Sequence, residues 1–252
     1  MNAHRPNRGR PAACGHDASP VPPAIPRPRA VLFDLFHTLV SVRPKAEIPP
    51  TWEDLGLPRE AYERRWFDDT DGRATGRIKD PVEVLRVVIH DIDPTVPMER
   101  IEWAARRRAV RFEDALLSVE PATVAAVERL RGAGVKVALV SNACAGEIEA
   151  WPRSPLAPHF DAAVFSCDVG MVKPDRAIYE HALAALGAGA ADAIFVGDGG
   201  SDEHRGARAV GLRTALVTRH ASEWWPELMA HRAQHADWTF SDVPAFVAAV
   251  AL

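Results

Sequence analysis

Asp34 stands directly after the apolar run AVLF (30–33), and Thr38 follows it by four residues. A carboxylate at the end of a buried strand is a candidate covalent nucleophile. Three further clusters carry chemistry. Ser141 and Asn142 follow VKVALV (135–140), Lys173 lies within GMVKPD (170–175), and Asp198 closes AIFVG ahead of Ser201, Asp202 and Glu203. These residue types complement one another. The Ser141 hydroxyl suits an anionic substrate oxygen, with Thr38 and Asn142 as further substrate-binding groups. Lys173 is a point charge able to offset negative charge on substrate and nucleophile. Asp34, Asp198 and Asp202 are hard oxygen ligands of the kind Mg²⁺ takes, completed by waters and a phosphate. Together they form a set for displacement at phosphorus by positioning and charge neutralisation.

Groups so distant in sequence act together only if their elements end at one place. Short apolar runs at 30–33, 135–141, 162–168, 193–198 and 213–218 read as strands. Between them PATVAAVERLRGAG (121–134), DRAIYEHALAALGAG (175–189) and SDEHRGARAVGL (201–212) have helical spacing, the last with Ser201 as its N-cap. Strands alternating with helices of this length predict a doubly wound, Rossmann-like parallel sheet covered on both faces. Such sheets bind ligands beyond the carboxyl ends of their strands, which is where all four clusters fall. Residues 45–118 break the rhythm with several helices and no convincing strand. They are too long for a simple crossover, and read as a small all-helical domain inserted between residues 29–44 and 119–252.

The chain has 252 residues, 47% hydrophobic and 25% charged, with a formal net charge of −4. That is long enough to bury a sizeable core. It gives no basic face for nucleic acid. No apolar run approaches the length of a membrane span. Residues 1–28 are rich in Pro, Arg and Ala without a signal-peptide core, and are expected to be a disordered leader. Cys14, Cys144 and Cys167 show no metal or disulfide spacing. A reducing, cytoplasmic setting is the expectation. Oligomeric state is not encoded legibly.

In order, FDLFHTL, VSNA, GMVKPD and FVGDGGSDEHRGARAVGL resemble the four motifs of the haloacid dehalogenase superfamily of hydrolases over roughly residues 29–245. The resemblance implies Asp34 as covalent nucleophile, Ser141 as substrate-oxygen donor and Lys173 as stabilising cation. It also implies Mg²⁺ held by Asp34, Asp198, Asp202 and the backbone carbonyl of Phe36, and a mobile helical cap at 45–118. A small phosphorylated metabolite would be the substrate.

Phe36 departs from the pattern, because phosphatases of this superfamily carry an acid/base Asp there. A phenyl ring moves no proton, and in this the motif is similar to the dehalogenases themselves, whose halide leaves unprotonated. The acidic fourth motif weighs the other way, since clustered carboxylates without a cation are costly. Mg²⁺-dependent phosphatase is therefore the leading expectation. A metal-independent 2-haloacid dehalogenase and a catalytically decayed binding module are its rivals. His37 could replace the missing acid/base, or could fill a turn position commonly held by Gly. Glu203 reads as a dipole partner in a first turn, and Arg64, Arg65, Arg73 and Arg77 as a solvated face. Trp66, Trp103, Trp224 and Trp225 read as packing, and Cys144 and Cys167 as small buried hydrophobes.

Overall fold

The computed structural model describes residues 25–42, 48–68 and 72–252. The elements run β1 (Ala30–Phe33), α1 (Thr51–Leu55), α2 (Arg59–Phe67), α3 (Pro81–Ile92), α4 (Met98–Leu117), α5 (Pro121–Gly132) and β2 (Lys136–Ser141). They continue β3 (Ala162–Phe165), α6 (Ser166–Val169), α7 (Arg176–Leu186), β4 (Ala193–Gly197), α8 (Glu203–Val210) and β5 (Arg213–Val217). The chain closes with α9 (Ala221–Trp224), α10 (Met229–Ala233), β6 (Trp238–Phe240) and α11 (Val243–Ala249).

The six strands form one parallel sheet in the order β3-β2-β1-β4-β5-β6. Successive strand residues face opposite sides. Val31, Phe33, Val137, Leu139, Ile194 and Val196 pack with Val127, Leu130, Phe246 and Val247 from α5 and α11. Ala30, Leu32, Ala138, Val140 and Phe195 pack with Ile178, Tyr179, Leu183 and Ala207 from α7 and α8. Both faces are covered, which is why these strands are apolar throughout rather than alternating. The short β6 escaped the sequence reading because WTF (238–240) offers too brief a run to register.

Helices α1–α3 and the first half of α4 enclose a separate apolar cluster that includes Leu55, Tyr62, Leu85, Val88, Ile89 and Ile101. In α3 the pattern is plain. Asp80 accepts a hydrogen bond from the Glu83 amide at 2.8 Å, Pro81 opens the first turn, and Val84, Leu85, Val88 and Ile89 share one buried face. The far end of α4 returns to the main core through Ala115 and Leu116.

Two expectations need correction. The leader was expected to reach residue 28, but Ile25 is fully buried and its backbone pairs with Ala249 and Ala251. An apolar residue among prolines found a site that composition could not reveal, while residues 1–24 lie outside the described part. Ser201 does not cap α8. Ser201 and Asp202 both adopt left-handed backbone (φ 52° and 50°), and the helix begins at Glu203 without a side-chain cap. The turn bends sharply because it must bring Glu203 back under the end of β4.

Candidate active site

Asp34 lies one step past β1, where the sheet order reverses between β2 and β4, and its amide donates to the Val196 carbonyl at 2.9 Å. This is the crevice where parallel sheets leave room for a ligand. One carboxylate oxygen of Asp34 accepts from Thr38 Oγ1 at 2.7 Å, and the other from Lys173 Nζ at 2.6 Å. Thr38, expected to bind substrate, therefore has its hydroxyl engaged in holding Asp34. Lys173 Nζ also donates to Glu203 Oε2 at 2.7 Å. Burial alone would depress the Lys173 ammonium, but Asp34 and Glu203 outweigh it and raise it above its usual value.

Asn142 brackets the backbone of Lys173. Its amide nitrogen donates to the Lys173 carbonyl at 2.8 Å, and its oxygen accepts from the Lys173 amide at 2.7 Å. The side chain expected to touch substrate thus spends its polar atoms on the loop that carries the cation. Ser141 is fully buried at the end of β2, and its hydroxyl has no partner within the protein. A buried hydroxyl left unpaired is costly.

The acidic fourth motif divides in an unexpected way. Asp198 is buried, and its Oδ1 accepts from the Gly200 amide at 2.8 Å. Oxygens of Asp34, Asp198 and Glu203 lie within 4.8 Å of one another. Asp202, named as a metal ligand from the sequence, is not in this group: its side chain is 48% exposed and pairs with Arg205 at 3.0 Å. Glu203, read as a dipole partner, takes the inward place with 1% exposure. Gly197 makes this possible, since a Cβ there would meet Glu203 Oε1 at 2.1 Å. Burial pushes the Glu203 carboxyl up to about 8; Lys173 opposes the shift, and the Asp34 and Asp198 carboxylates add to it.

Arg232, from α10, was not singled out in the sequence at all. Its guanidinium donates to Asp198 Oδ2 at 2.6 Å and to the Asp198 carbonyl at 3.0 Å, and lies over the Trp225 ring at 5.0 Å. Burial opposes ionisation of Asp198, but Arg232, with smaller help from His37, Gly200 and Lys173, holds its carboxyl below the usual range. Thirty-four residues separate the pair, and no local pattern marks an arginine as the partner of a distant aspartate.

His37 has left-handed backbone (φ 64°) and its amide donates to the Val40 carbonyl at 2.7 Å, as a turn residue would. Its ring meets Trp225 edge-on at 5.1 Å, and burial lowers its pKa against the pull of Asp198 and Asp34. The Phe36 ring packs edge-on against Phe112 at 5.0 Å.

These groups open into a cavity of about 410 Å³ bounded by the sheet end, by α1, α2 and α4, and by the 224–232 segment. Trp66, Trp224 and Trp225 line it, contrary to a packing role alone, whereas Trp103 is 39% exposed under Arg107. Arg73 is buried and caps the end of α2 by donating to the Trp66 and Asp68 carbonyls at 3.0 and 3.2 Å. Arg65 pairs with Asp91 at 2.7 Å. Cys144 and Cys167 are buried and form no disulfide.

A family model described as a haloacid dehalogenase-like hydrolase matches residues 28–211. The ribulose-1,5-bisphosphate 5-phosphatase of Halopiger xanaduensis is 31% identical over 202 residues, covering 74% of this chain and 83% of that protein. The phosphoserine phosphatase of Thermus thermophilus is 34% identical over 100 residues, 39% of this chain, and the match spans only 40% of its length. Among solved structures, a dehalogenase captured with an intermediate superposes with a TM-score of 0.65 at 20% identity, covering 90% of this chain and 99% of that one. At that identity the likeness speaks for the fold.

Proposed function

This chain is a haloacid dehalogenase-like hydrolase, and from that premise we propose that it is a Mg²⁺-dependent phosphatase acting on a small phosphomonoester through an aspartyl-phosphate at Asp34. The observation that supports this reading is the buried convergence of Asp34, Asp198 and Glu203. Against these three carboxylates stand two cations in contact with them, Lys173 and Arg232. The all-oxygen donor set fits a hard divalent ion, whose charge would hold the Glu203 carboxyl ionised against its burial. Asp34, Asp198 and Glu203 would hold it, with the backbone carbonyl of Phe36 as a further oxygen. Bound there, Mg²⁺ supplies charge neutralisation for phosphoryl oxygens.

The chain's own residues supply the rest. Thr38 and Lys173 each hold one oxygen of Asp34, which fixes the carboxylate for attack. Attack forms an Asp34 oxygen–phosphorus bond and breaks the bond from phosphorus to the ester oxygen, which departs with the electron pair as an oxyanion and takes its proton from water. Lys173 offsets the charge that gathers, and the Ser141 hydroxyl, which has no partner within the protein, would donate to a phosphoryl oxygen. A water then attacks the phosphorus, gives up a proton, and releases phosphate and Asp34. The neutral His37 imidazole, kept so by burial, is the base this chain offers for that proton. The helical segment 45–118 acts in this reading as a cap that shapes the substrate cavity.

Phe36 favours a second reading, a 2-haloacid dehalogenase in which halide leaves from carbon without a proton. One assay separates the two. Phosphate release from p-nitrophenyl phosphate that EDTA abolishes, and that Asp34→Asn lowers by about a thousandfold or more, carries the first. Chloride release from 2-chloropropionate that survives EDTA replaces it with the second. In the same assay His37→Gln is expected to shift the pH–rate profile, and an unchanged profile returns His37 to its turn role.

A further inference from the structure

We infer that the substrate is an aryl phosphomonoester, a phosphate carried on a flat aromatic body rather than on a polyol or amino acid. The inference rests on the phosphatase reading above and deepens it. Two independent features point the same way.

The first is the wall of the cavity. The cavity of about 410 Å³ that Asp34 and Lys173 line is also lined by Trp52, Trp66, Phe112, Trp224 and Trp225. That volume suits a body of one or two rings. The charged side chains in the same wall are already engaged with protein. Arg108 pairs with Glu147 and lies over the Trp66 and Phe112 rings at 4.1 and 4.6 Å. Glu147 also accepts from the Cys144 amide at 2.7 Å. Arg111 donates to the Pro49 carbonyl at 2.7 Å and to Thr51 Oγ1 at 3.3 Å. A hydroxylated body would exchange water for a wall in which these rings outnumber hydroxyls such as those of Tyr62 and Ser201, and would leave polar groups short of partners. An aromatic body would meet rings suited to offset or edge-on contact.

The second feature is Phe36, whose ring is fixed edge-on to Phe112 where a proton donor would serve an alcohol leaving group. When the phosphorus–oxygen bond breaks, its electron pair leaves on the ester oxygen. A phenol, with a pKa of about 10, carries that pair into water and takes its proton there. An aliphatic alkoxide is far more basic and needs an acid at the moment of cleavage. The aromatic wall and the missing acid therefore select the same substrate.

Phenyl phosphate, benzyl phosphate and glycerol 3-phosphate separate body from leaving group. With Mg²⁺, kcat/KM for phenyl phosphate is expected to exceed that for glycerol 3-phosphate by about 100-fold or more. Benzyl phosphate is expected to share the low KM of phenyl phosphate but not its kcat. Trp66→Ala and Trp224→Ala should each shrink the phenyl-to-glycerol ratio about tenfold, mainly through KM. Both side chains are half-buried and lie on different helices, α2 and α9, so either variant keeps the test open should the other misfold. Glycerol 3-phosphate turned over as well as phenyl phosphate overturns the inference and leaves the phosphatase reading standing. Failure to hydrolyse any of the three overturns that reading. Calorimetric binding to Asp34→Asn then judges the aromatic body alone, and affinity for phenyl phosphate no greater than for glycerol 3-phosphate rejects it.

Discussion

Asp202 and Glu203 are neighbours in sequence, but only Glu203 turns into the carboxylate group. The left-handed backbone at Ser201 and Asp202 rotates the chain so that Asp202 stays 48% exposed beside Arg205 while Glu203 reaches Lys173. The difference is measurable. Mg²⁺ at about 100 times its dissociation constant should stabilise the wild type by about 2.7 kcal/mol. Asp202→Asn should keep that thermal shift, and Glu203→Gln should lose most of it. The comparison is made with and without Mg²⁺ within each variant, so any loss of basal stability cancels. A shift that vanishes in Asp202→Asn and persists in Glu203→Gln would reverse the assignment. Arg232 belongs to the same scale, since a single side chain from α10 balances Asp198 and lies over Trp225, which itself touches His37.

At the level of elements, the site depends on how closely α8 approaches the loop that carries Lys173. Gly206 sits on the face of α8 that meets Pro174, and a Cβ there would come within 2.4 Å of the Pro174 carbonyl oxygen. Backbone cannot yield as a flexible side chain does, so the loop or the helix must move. Gly206→Ala is expected to cost about 1–3 kcal/mol of stability and to lower kcat by displacing Lys173 from Asp34. A variant with wild-type melting temperature and kcat would show that the two elements have more slack than their spacing suggests. Tyr179 adds a tie between α7 and α8, its hydroxyl donating to the Glu203 carbonyl at 2.8 Å.

For the molecule as a whole, the two apolar layers on the sheet and the third cluster within α1–α4 are distinct bodies of packing. The contacts of the helical segment with the rest of the described chain include the far end of α4, the Arg108–Glu147 pair, the Arg153–Glu113 pair at 2.7 Å and Arg59, which donates to the Trp224 carbonyl at 3.3 Å. The apolar cluster within α1–α4 is separate from the two on the sheet, so opening should follow the seam between them. Amide hydrogen exchange is expected to release α2 and α3 at lower free energy than β1 and β4, as one cooperative group. Equal protection throughout would mean that segment and sheet unfold only together. No helix among the described residues is long and apolar enough to cross a membrane.

Sequence by itself determined the architecture, because strand and helix periodicities are local and the two-sided burial of a parallel sheet writes continuous apolar runs. It likewise placed Asp34, Ser141 and Asp198 at strand ends, since each follows directly from the strand before it, and Lys173 in the loop after the third strand run. Tertiary structure alone decided which of Asp202 and Glu203 faces inward, because that depends on two backbone torsions in a four-residue turn. It alone brought Arg232 onto Asp198 and the tryptophans of distant segments around one cavity. Those contacts cross gaps in sequence that no periodicity spans, and the free energy that selects them comes from burial shared among elements rather than from any element's own pattern.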